Sequence, residues 1–221
     1  MKKIIFFAFV ASLFCSCSDE TSEVGVGRST SHFITEYFVL TGVNVSANSI
    51  EDLFICADGE IYRTWVDKNR EEYKKAKYFC DLYGDNSYKG GYYPGQHAAL
   101  AYPIENLTIC CTVDFDTNHP AGKPLDDIVE LDFQTYYDYV KSGYTSYKDN
   151  PIWMSSIVEH FTLSFDKVSA DISKLASIGL GGNFAGFKFI STPEKAGEYT
   201  FTLELTTNGE TFKTTFSHTF E

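Results

Sequence analysis

Residues 198–220, EYTFTLELTTNGETFKTTFSHTF, contain the clearest structural pattern in the chain. Apolar and polar side chains alternate on both sides of Asn208-Gly209, a dipeptide that adopts the positive φ angles of a two-residue hairpin turn. Because side chains alternate between the faces of a strand, this turn decides which residues oppose each other. One face of the predicted hairpin is mostly apolar and the other is rich in threonine, which predicts a sheet that packs on one side only. The apolar face is expected to carry five facing pairs: Thr207 with Glu210, Leu205 with Phe212, Leu203 with Thr214, Phe201 with Phe216 and Tyr199 with His218.

Similar patterns upstream predict further strands. Residues 53–56 and 60–66 flank residues 57–59, Ala-Asp-Gly, and an Asp-Gly step between two such runs indicates a hairpin turn. Residues 67–79 suit a short helix, and residues 135–141 suit either a strand or a second brief helix. We therefore expect a mostly β protein, an antiparallel β-sandwich with one or two short helices. The other predicted strands are residues 33–45, 104–115, 161–165 and 184–190.

The first twenty residues, MKKIIFFAFVASLFCSCSDE, have the form of a secretory signal peptide. Lys2 and Lys3 precede an apolar run of about eleven residues, which is too short to cross the roughly 30 Å hydrocarbon core of a bilayer. Residues 14–17, Phe-Cys-Ser-Cys, resemble a bacterial lipobox, and the resemblance implies that Cys17 receives the lipid. Cys15 is the alternative acceptor, less suited because a phenylalanine precedes it.

The residues after Cys17 indicate a position at the cell surface. Residues 18–20, Ser-Asp-Glu, are similar to the acidic tract that follows the lipidated cysteine in surface-exposed lipoproteins of the Bacteroidetes. The resemblance implies a lipid-anchored outer-membrane protein that faces outward. Residues 1–16 are then the signal peptide, residues 17–32 a lipidated flexible tether and residues 33–221 a β-sandwich domain, with two packed sub-domains meeting near residues 116–126 as an alternative.

Four cysteines remain beyond the signal region: Cys56, Cys80, Cys110 and Cys111. An even number in an exported chain predicts disulfides. Cys110 and Cys111 are poorly placed to bridge each other, because neighbouring Cα atoms lie about 3.8 Å apart and an unstrained disulfide needs about 5.5 Å. One disulfide is expected rather than two, with its pairing open. No metal site is predicted, because the chain lacks a Cys-x-x-Cys pair and a histidine at ligand spacing.

The charge of the chain narrows the range of partners. Its formal net charge is −12, with 30 acidic residues against 18 basic ones. Such a surface repels phosphate groups, which argues against nucleic acid and anionic lipid surfaces as partners. No stretch beyond the signal region approaches the 18 or more consecutive apolar residues of a spanning helix, so the lipid is the expected membrane contact.

Tyrosines are concentrated in two stretches with strong turn formers. Residues 83–95, YGDNSYKGGYYPG, combine four tyrosines with four glycines and a proline, and a second aromatic cluster follows residue 135. Loops carry function more often than the scaffold does, so these rings could stack on sugars or contact a protein. The plainer interpretation is that they cover a sheet edge. The predicted ligand-binding residues are Tyr88, Tyr92, Tyr93, Tyr144, Tyr147 and Trp153.

Motifs for metal binding and catalysis are weak in this chain. Asp114, Asp116 and Asn118 could supply part of a calcium loop, but His119 and Leu125 stand where an EF-hand needs glycine and glutamate. A polar turn is therefore the favoured interpretation. The five histidines are scattered, and the chain has no His-Glu-x-x-His, no Gly-x-Ser-x-Gly and no phosphate-binding glycine loop before a helix. Neither a cofactor nor an enzymatic activity is expected.

A second resemblance covers residues 114–132, DFDTNHPAGKPLDDIVELD, and the tyrosine-rich segment after them. They resemble a small set of uncharacterised Bacteroides-type lipoproteins, which share a His-Pro-Ala-Gly turn like residues 119–122 and a Leu-Asp-Asp step like residues 125–127. Residues 195–200, Lys-Ala-Gly-Glu-Tyr-Thr, are similar to late strands of bacterial immunoglobulin-like domains. This similarity implies an immunoglobulin-like sandwich, while the lipoprotein resemblance implies no activity.

These observations favour a non-catalytic function. We expect the protein to bind an extracellular ligand, with a glycan as the favoured class, through its tyrosine-rich loops. The alternative is a structural or protein-interaction role, as an adhesin or an accessory subunit of a surface complex. A concave groove of aromatic side chains would favour the first role, and an open sheet edge or a flat apolar patch would favour the second.

Overall fold

The computed structural model describes residues 31–47, 53–89, 97–145 and 158–221. Within these ranges lie ten strands and two α-helices. The strands are β1 (Glu36–Ala47), β2 (Leu53–Arg63), β3 (Ala98–Leu100), β4 (Ile104–Cys111), β5 (Val129–Thr135), β6 (Glu159–Ser164), β7 (Ser177–Ile178), β8 (Asn183–Phe189), β9 (Gly197–Thr207) and β10 (Glu210–Phe220). The helices are α1 (Glu71–Tyr83) and α2 (Tyr137–Lys141).

The strands form two sheets. The larger sheet has the order β6-β5-β8-β2-β1-β3-β7, and the smaller sheet has the order β10-β9-β4. The predicted mostly β class and the two-sheet sandwich are confirmed. The immunoglobulin-like arrangement is not confirmed, because that fold divides its antiparallel strands about evenly between two sheets. In this protein seven strands lie in one sheet, and β1 pairs with β3 in parallel.

The C-terminal hairpin has the predicted register. Thr207 pairs with Glu210 next to the turn, and Tyr199 pairs with His218 near the far end. Asn208 and Gly209 have φ angles of 51° and 73°, as a two-residue turn of this type requires. β9 is the central strand of its sheet, so residues 104–111 form an edge strand, and the predicted strand ends at Cys111 rather than at residue 115.

A continuous apolar core fills the space between the two sheets. Phe201, Leu203 and Leu205 of β9 are fully buried there, and they share the core with Ile55 of β2 and Leu131 of β5. Each such side chain contributes about 1.5–3 kcal/mol relative to an exposed one. Strands from before and after residues 116–126 pair within both sheets, so the described chain is not divided into two sub-domains there.

β2 differs from its predicted form. Asp58 and Gly59 lie inside an uninterrupted strand that pairs with β1, so the predicted turn at residues 57–59 is wrong. Thr41 of β1 is an extra residue, a bulge between Leu40 opposite Gly59 and Gly42 opposite Asp58. A Cβ atom on Gly59 would lie 2.1 Å from a backbone oxygen of β1. The glycine therefore allows a close approach of two strands rather than a reversal of the chain.

The two helices cover the other face of the larger sheet. Tyr37 of β1 points into this layer, whereas its neighbour Phe38 packs toward the core between the sheets. Tyr37 stacks on Phe79 of α1 with ring centroids 5.3 Å apart, and Val140 of α2 joins the same apolar cluster. The predicted helix at residues 67–79 is confirmed in kind, although α1 begins and ends four residues later. No helix in the described ranges is long and apolar enough to cross a membrane.

The four cysteines of the domain are free thiols, contrary to the expected disulfide. Cys111 lies in the core between the sheets and Cys110 faces the other side of the smaller sheet. Cys80 belongs to the helical layer, and Cys56 points away from the inter-sheet core, with its Sγ 2.8 Å from Oδ1 of Asn183. The larger sheet thus separates Cys56 and Cys80 from the cysteines of β4, so neither Cys56 nor Cys80 can form a disulfide with Cys110 or Cys111.

A tyrosine-lined pocket above a buried His-Cys-Asp cluster

A pocket of about 570 Å³ lies where the segment after α1 meets the end of α2. Its walls are three half-buried tyrosines, Tyr88, Tyr139 and Tyr144. Ser87, Lys89 and Gly143 complete the lining. Burial raises the pKa of all three tyrosines, and the Asp85 carboxylate raises that of Tyr144 further, so their hydroxyls stay protonated and can donate hydrogen bonds.

Two left-handed turns bring these tyrosines together. Gly84 follows the last residue of α1, and its φ angle of 76° turns the chain back toward the start of β1. The N–H of Tyr88 then donates to the backbone oxygen of Ser31. α2 is followed by Gly143 and Tyr144, both at positive φ. The φ angle of 64° at Tyr144 costs about 1–2 kcal/mol for a residue that carries a Cβ atom. Such strain at a pocket wall is typical of functional sites.

The rings hold one another edge to face. Tyr144 lies 5.3 Å from Tyr88 and 5.9 Å from Tyr139 between ring centroids, with interplanar angles of 66° and 74°. Phe33 packs against two of the three rings, with centroids 5.4 Å from Tyr88 and 4.8 Å from Tyr139. Each edge-to-face pair adds about 0.5–1.5 kcal/mol beyond its area burial. The pocket is therefore a packed arrangement of rings rather than a chance gap between loops.

Asp85 holds the pocket residue Tyr144 in place. Its Oδ1 accepts hydrogen bonds from the Tyr144 hydroxyl and the N–H of Phe33, both at 2.7 Å, and its Oδ2 accepts the N–H of Ile34 at 2.8 Å. Asp85 is fully buried, and this burial raises the pKa of the carboxyl although all three donors act in the opposite direction. One carboxylate thus ties the start of β1, the turn after α1 and the end of α2 together.

His32 and Cys80 lie beside Asp85. An imidazole nitrogen, the Cys80 thiol and a carboxylate oxygen lie within 4.8 Å of one another, and all three residues are buried. Burial raises the pKa of the Cys80 thiol to about 12. In the described ranges these are the residues placed to hold a metal ion, and sequence spacing did not indicate them, because 48 residues separate His32 from Cys80.

The Asp-rich turn at residues 114–127 uses its carboxylates internally. Asp114 accepts the N–H of Ala121, and Asp116 accepts the N–H groups of Asn118 and His119. Asp116 also contacts the His119 ring at 2.9 Å. This is the polar turn that the sequence favoured, and these carboxylates do not converge on a common point in the described chain.

The structure brings together two of the six predicted ligand-binding residues, Tyr88 and Tyr144. Tyr139 was missed as a pocket residue, because residues 135–141 were ambiguous between strand and helix. Its only signal was the short spacing to Tyr144. The predicted residues Cys17, Tyr92, Tyr93, Tyr147 and Trp153 lie outside the described residues.

The fold and the pocket define a class: a two-sheet, mostly β protein with helices on one outer face and an aromatic pocket at their edge. No family model, no curated protein and no solved structure matches the chain. The chemistry of the pocket is therefore the guide to the function of the protein.

Proposed function

We propose that this protein is a non-catalytic, lipid-anchored binding protein of the outer membrane that holds an extracellular carbohydrate in the pocket of Tyr88, Tyr139 and Tyr144. The pocket itself is the observation that supports the proposal. Its volume of about 570 Å³ falls within the range of about 300–1,000 Å³ of small-molecule sites. Such sites combine aromatic walls with a few polar groups that orient the ligand.

The chemistry of tyrosine suits a sugar. A tyrosine ring has an apolar body and a polar tip, and a sugar ring likewise combines apolar C–H faces with hydroxyl groups. The hydroxyls of Tyr88 and Tyr139 can exchange hydrogen bonds with the ligand, while Lys89 adds one cation to the lining. Few side chains would have to become ordered on binding, because the three rings already pack against one another.

The position at the surface rests on the N-terminal sequence. Lipidation of Cys17 and an acidic tether would display the domain on the outer face of the cell, and the described helices offer no alternative membrane span. The net charge of −12 keeps the domain away from anionic surfaces. A domain on such a tether is suited to capture soluble or wall-bound polysaccharide near the membrane.

The test compares Tyr88→Ala with Tyr78→Ala. Tyr78 lies on α1, is 56% exposed and does not line the pocket, so its removal is a matched control. Gel retardation and calorimetry against neutral and uronic-acid-containing polysaccharides should detect binding by the parent protein and by Tyr78→Ala, with at least a 10-fold loss for Tyr88→Ala. Equal affinity in all three proteins would show that the pocket is not the binding site. Absence of binding to every polysaccharide would show that the ligand is not a carbohydrate of these classes.

A protein-interaction role is the second candidate, and one observation favours it. β10 is an eleven-residue edge strand, and in the described chain β9 is its only hydrogen-bonded neighbour. β10 also lies close to β1, with which it forms no strand pairing in the described chain. An unpaired strand edge can accept a strand from a partner. Replacing Thr215 with proline would block such pairing, and loss of a co-purifying outer-membrane protein with unchanged polysaccharide binding would support this second role.

A further inference from the structure

We propose that His32, Cys80 and Asp85 form a binding site for a divalent transition metal, with Zn²⁺ as the expected ion. The site would fasten the start of the domain to the end of α1. The proposal does not rest on carbohydrate binding, although Asp85 also holds the pocket residue Tyr144. His32 precedes β1, Cys80 lies in the last turn of α1, and Asp85 follows that helix. Three separate points of the chain would thus be joined by one ion.

The spacing of the three side chains is close to that of a zinc site. One ligand atom from each lies within 4.8 Å of the other two. Zn²⁺ binds nitrogen, oxygen and sulfur at about 2.0–2.3 Å in a tetrahedron, which places neighbouring ligands about 3.3–3.8 Å apart. Small side-chain movements would therefore complete the geometry. The exposed fractions of 5%, 0% and 0% for His32, Cys80 and Asp85 exclude bulk water from the ion.

The surroundings of His32 prepare its imidazole as a ligand. Its Nδ1 lies 2.5 Å from the backbone oxygen of Asp85, and a carbonyl oxygen can only accept, so the proton is on Nδ1. The lone pair that a metal needs is then on Nε2, where Zn²⁺ would replace a 3.3 Å contact with the Ser31 hydroxyl. A backbone carbonyl that holds the second nitrogen is the usual partner of a metal-binding histidine.

Asp85 retains capacity for a metal although three donors contact it. Each carboxylate oxygen can accept about two hydrogen bonds. Oδ1 is saturated by the Tyr144 hydroxyl and the Phe33 N–H, whereas among the described residues the only donor to Oδ2 is the N–H of Ile34. The remaining lone pair of Oδ2 can coordinate an ion without breaking any of these bonds.

Tyr37 adds a supporting group to this cluster. Its side chain is fully buried, and its hydroxyl faces the Cys80 thiol with the Asp85 carboxyl nearby. Hydrogen-bond donors around the ligand atoms orient them and tune a metal site. The Tyr37 hydroxyl is placed to donate a hydrogen bond to a zinc-bound Cys80 thiolate.

The mixture of ligand types favours zinc. Ca²⁺ and Mg²⁺ require oxygen ligands, and a set of one thiol, one imidazole and one carboxylate offers only one such group. Binding releases the thiol proton of Cys80 to solvent as the Zn–S bond forms. Zn²⁺ accepts nitrogen, sulfur and oxygen together and needs no redox partner.

Metal titration of the full-length protein in detergent tests the proposal. The reduced, chelator-stripped protein should bind one equivalent of Zn²⁺, and Co²⁺ should give the near-ultraviolet charge-transfer band of a thiolate complex. Cys80→Ser should abolish this band and weaken Zn²⁺ binding at least about 100-fold, because loss of a supporting residue alone costs 10–100-fold. Cys110→Ser, which changes a half-exposed thiol on β4, should keep both properties.

If Cys80→Ser fails to fold, the effect of Zn²⁺ on the Tm of the wild type and of His32→Gln still tests the proposal. Zn²⁺ should raise the Tm of the wild-type protein, since an ion that binds only the native state stabilises it. His32→Gln, which leaves all four thiols in place, should lose this rise in Tm. Absence of the thiolate band in the wild type, or its survival in Cys80→Ser, would overturn the proposal. An unchanged rise in Tm for His32→Gln would also overturn it.

Discussion

His97 shows how burial alters a single residue. Its ring stacks on Phe33 at 4.3 Å, and its Nδ1 has no hydrogen-bond partner among the described residues. Burial lowers the pKa of His97 to about 4, well below the value of about 6.5 for an exposed histidine. The ring is therefore neutral in the folded protein over the whole range in which an unfolded chain would take up a proton.

This pKa difference predicts a pH-dependent stability. Between pH 6.5 and 4 the unfolded state binds a proton that the native state does not, so the free energy of unfolding falls as the pH is lowered through this window. The expected loss is about 3 kcal/mol at its lower end. Urea unfolding followed by circular dichroism at pH 7.5, 6 and 5 measures it.

His97→Gln isolates the contribution of this residue. The variant is expected to be less stable at pH 7.5 but to lose less stability than the wild type on acidification, because glutamine does not titrate. Carboxylates contribute equally to both proteins and cancel in the comparison. Parallel pH profiles would show that another group carries the acid sensitivity.

The pairing of β1 with β2 depends on a bulge in β1 and on a glycine in β2. Leu40 and Val43 are three positions apart, yet both lie in the core between the sheets. Regular alternation would point them to opposite faces, and the extra residue Thr41 corrects the phase. Gly59 lies opposite Leu40, where the strands approach too closely for a Cβ atom.

Gly59→Ala and Gly42→Ala form a matched pair of variants at this bulge. A Cβ on Gly59 would meet a backbone oxygen at 2.1 Å, whereas a Cβ on Gly42 would meet only the Asp58 side chain, at 3.5 Å or more. We expect Gly59→Ala to lower the free energy of unfolding by about 2–3 kcal/mol and Gly42→Ala by less than about 1 kcal/mol. Urea denaturation with fluorescence detection compares them. Equal losses would contradict the assigned register.

The elements also show how far sequence reasoning reaches. The register of β9 and β10 was predictable because the Asn208-Gly209 turn and the alternation that sets it lie within one short segment. Asp58-Gly59 carries a similar local signal, but the turn predicted there is wrong. Its glycine is required by the close approach of β1, which is distant in the sequence. The pocket was predicted in part, because the tyrosine-rich segments that contain Tyr88 and Tyr144 are visible in the sequence. The cluster of His32, Cys80 and Asp85 could not be predicted, since only the tertiary fold brings these residues together.

At the scale of the whole molecule, the proposed lipid anchor determines where the domain can act. The described domain begins shortly after residue 31, so about fourteen residues would separate it from a lipid on Cys17. Each buried methylene of an acyl chain contributes about 0.8 kcal/mol, so several chains would hold the protein on the membrane almost permanently. Lipidation of the single residue Cys17 would thus determine the location of the whole domain.

Cys17→Ser is expected to release the protein from the membrane. In phase partition with a non-ionic detergent, the wild type should enter the detergent phase and the variant the aqueous phase. Cys15→Ser is the matched control and should behave like the wild type, because a serine two positions before the acceptor leaves the lipid bond intact. Retention of Cys17→Ser in the detergent phase would rule out this anchor.

The place of β9 at the centre of the smaller sheet has a consequence for biogenesis. β4 is complete at Cys111, but its hydrogen-bonded neighbour begins only at Gly197. The smaller sheet cannot gain its central strand until synthesis has passed residue 197, and the two-sheet core must wait with it. The two-sheet core is therefore still incomplete while these earlier residues are made, and a chain without that core can be threaded through a secretion channel, as the proposed export requires.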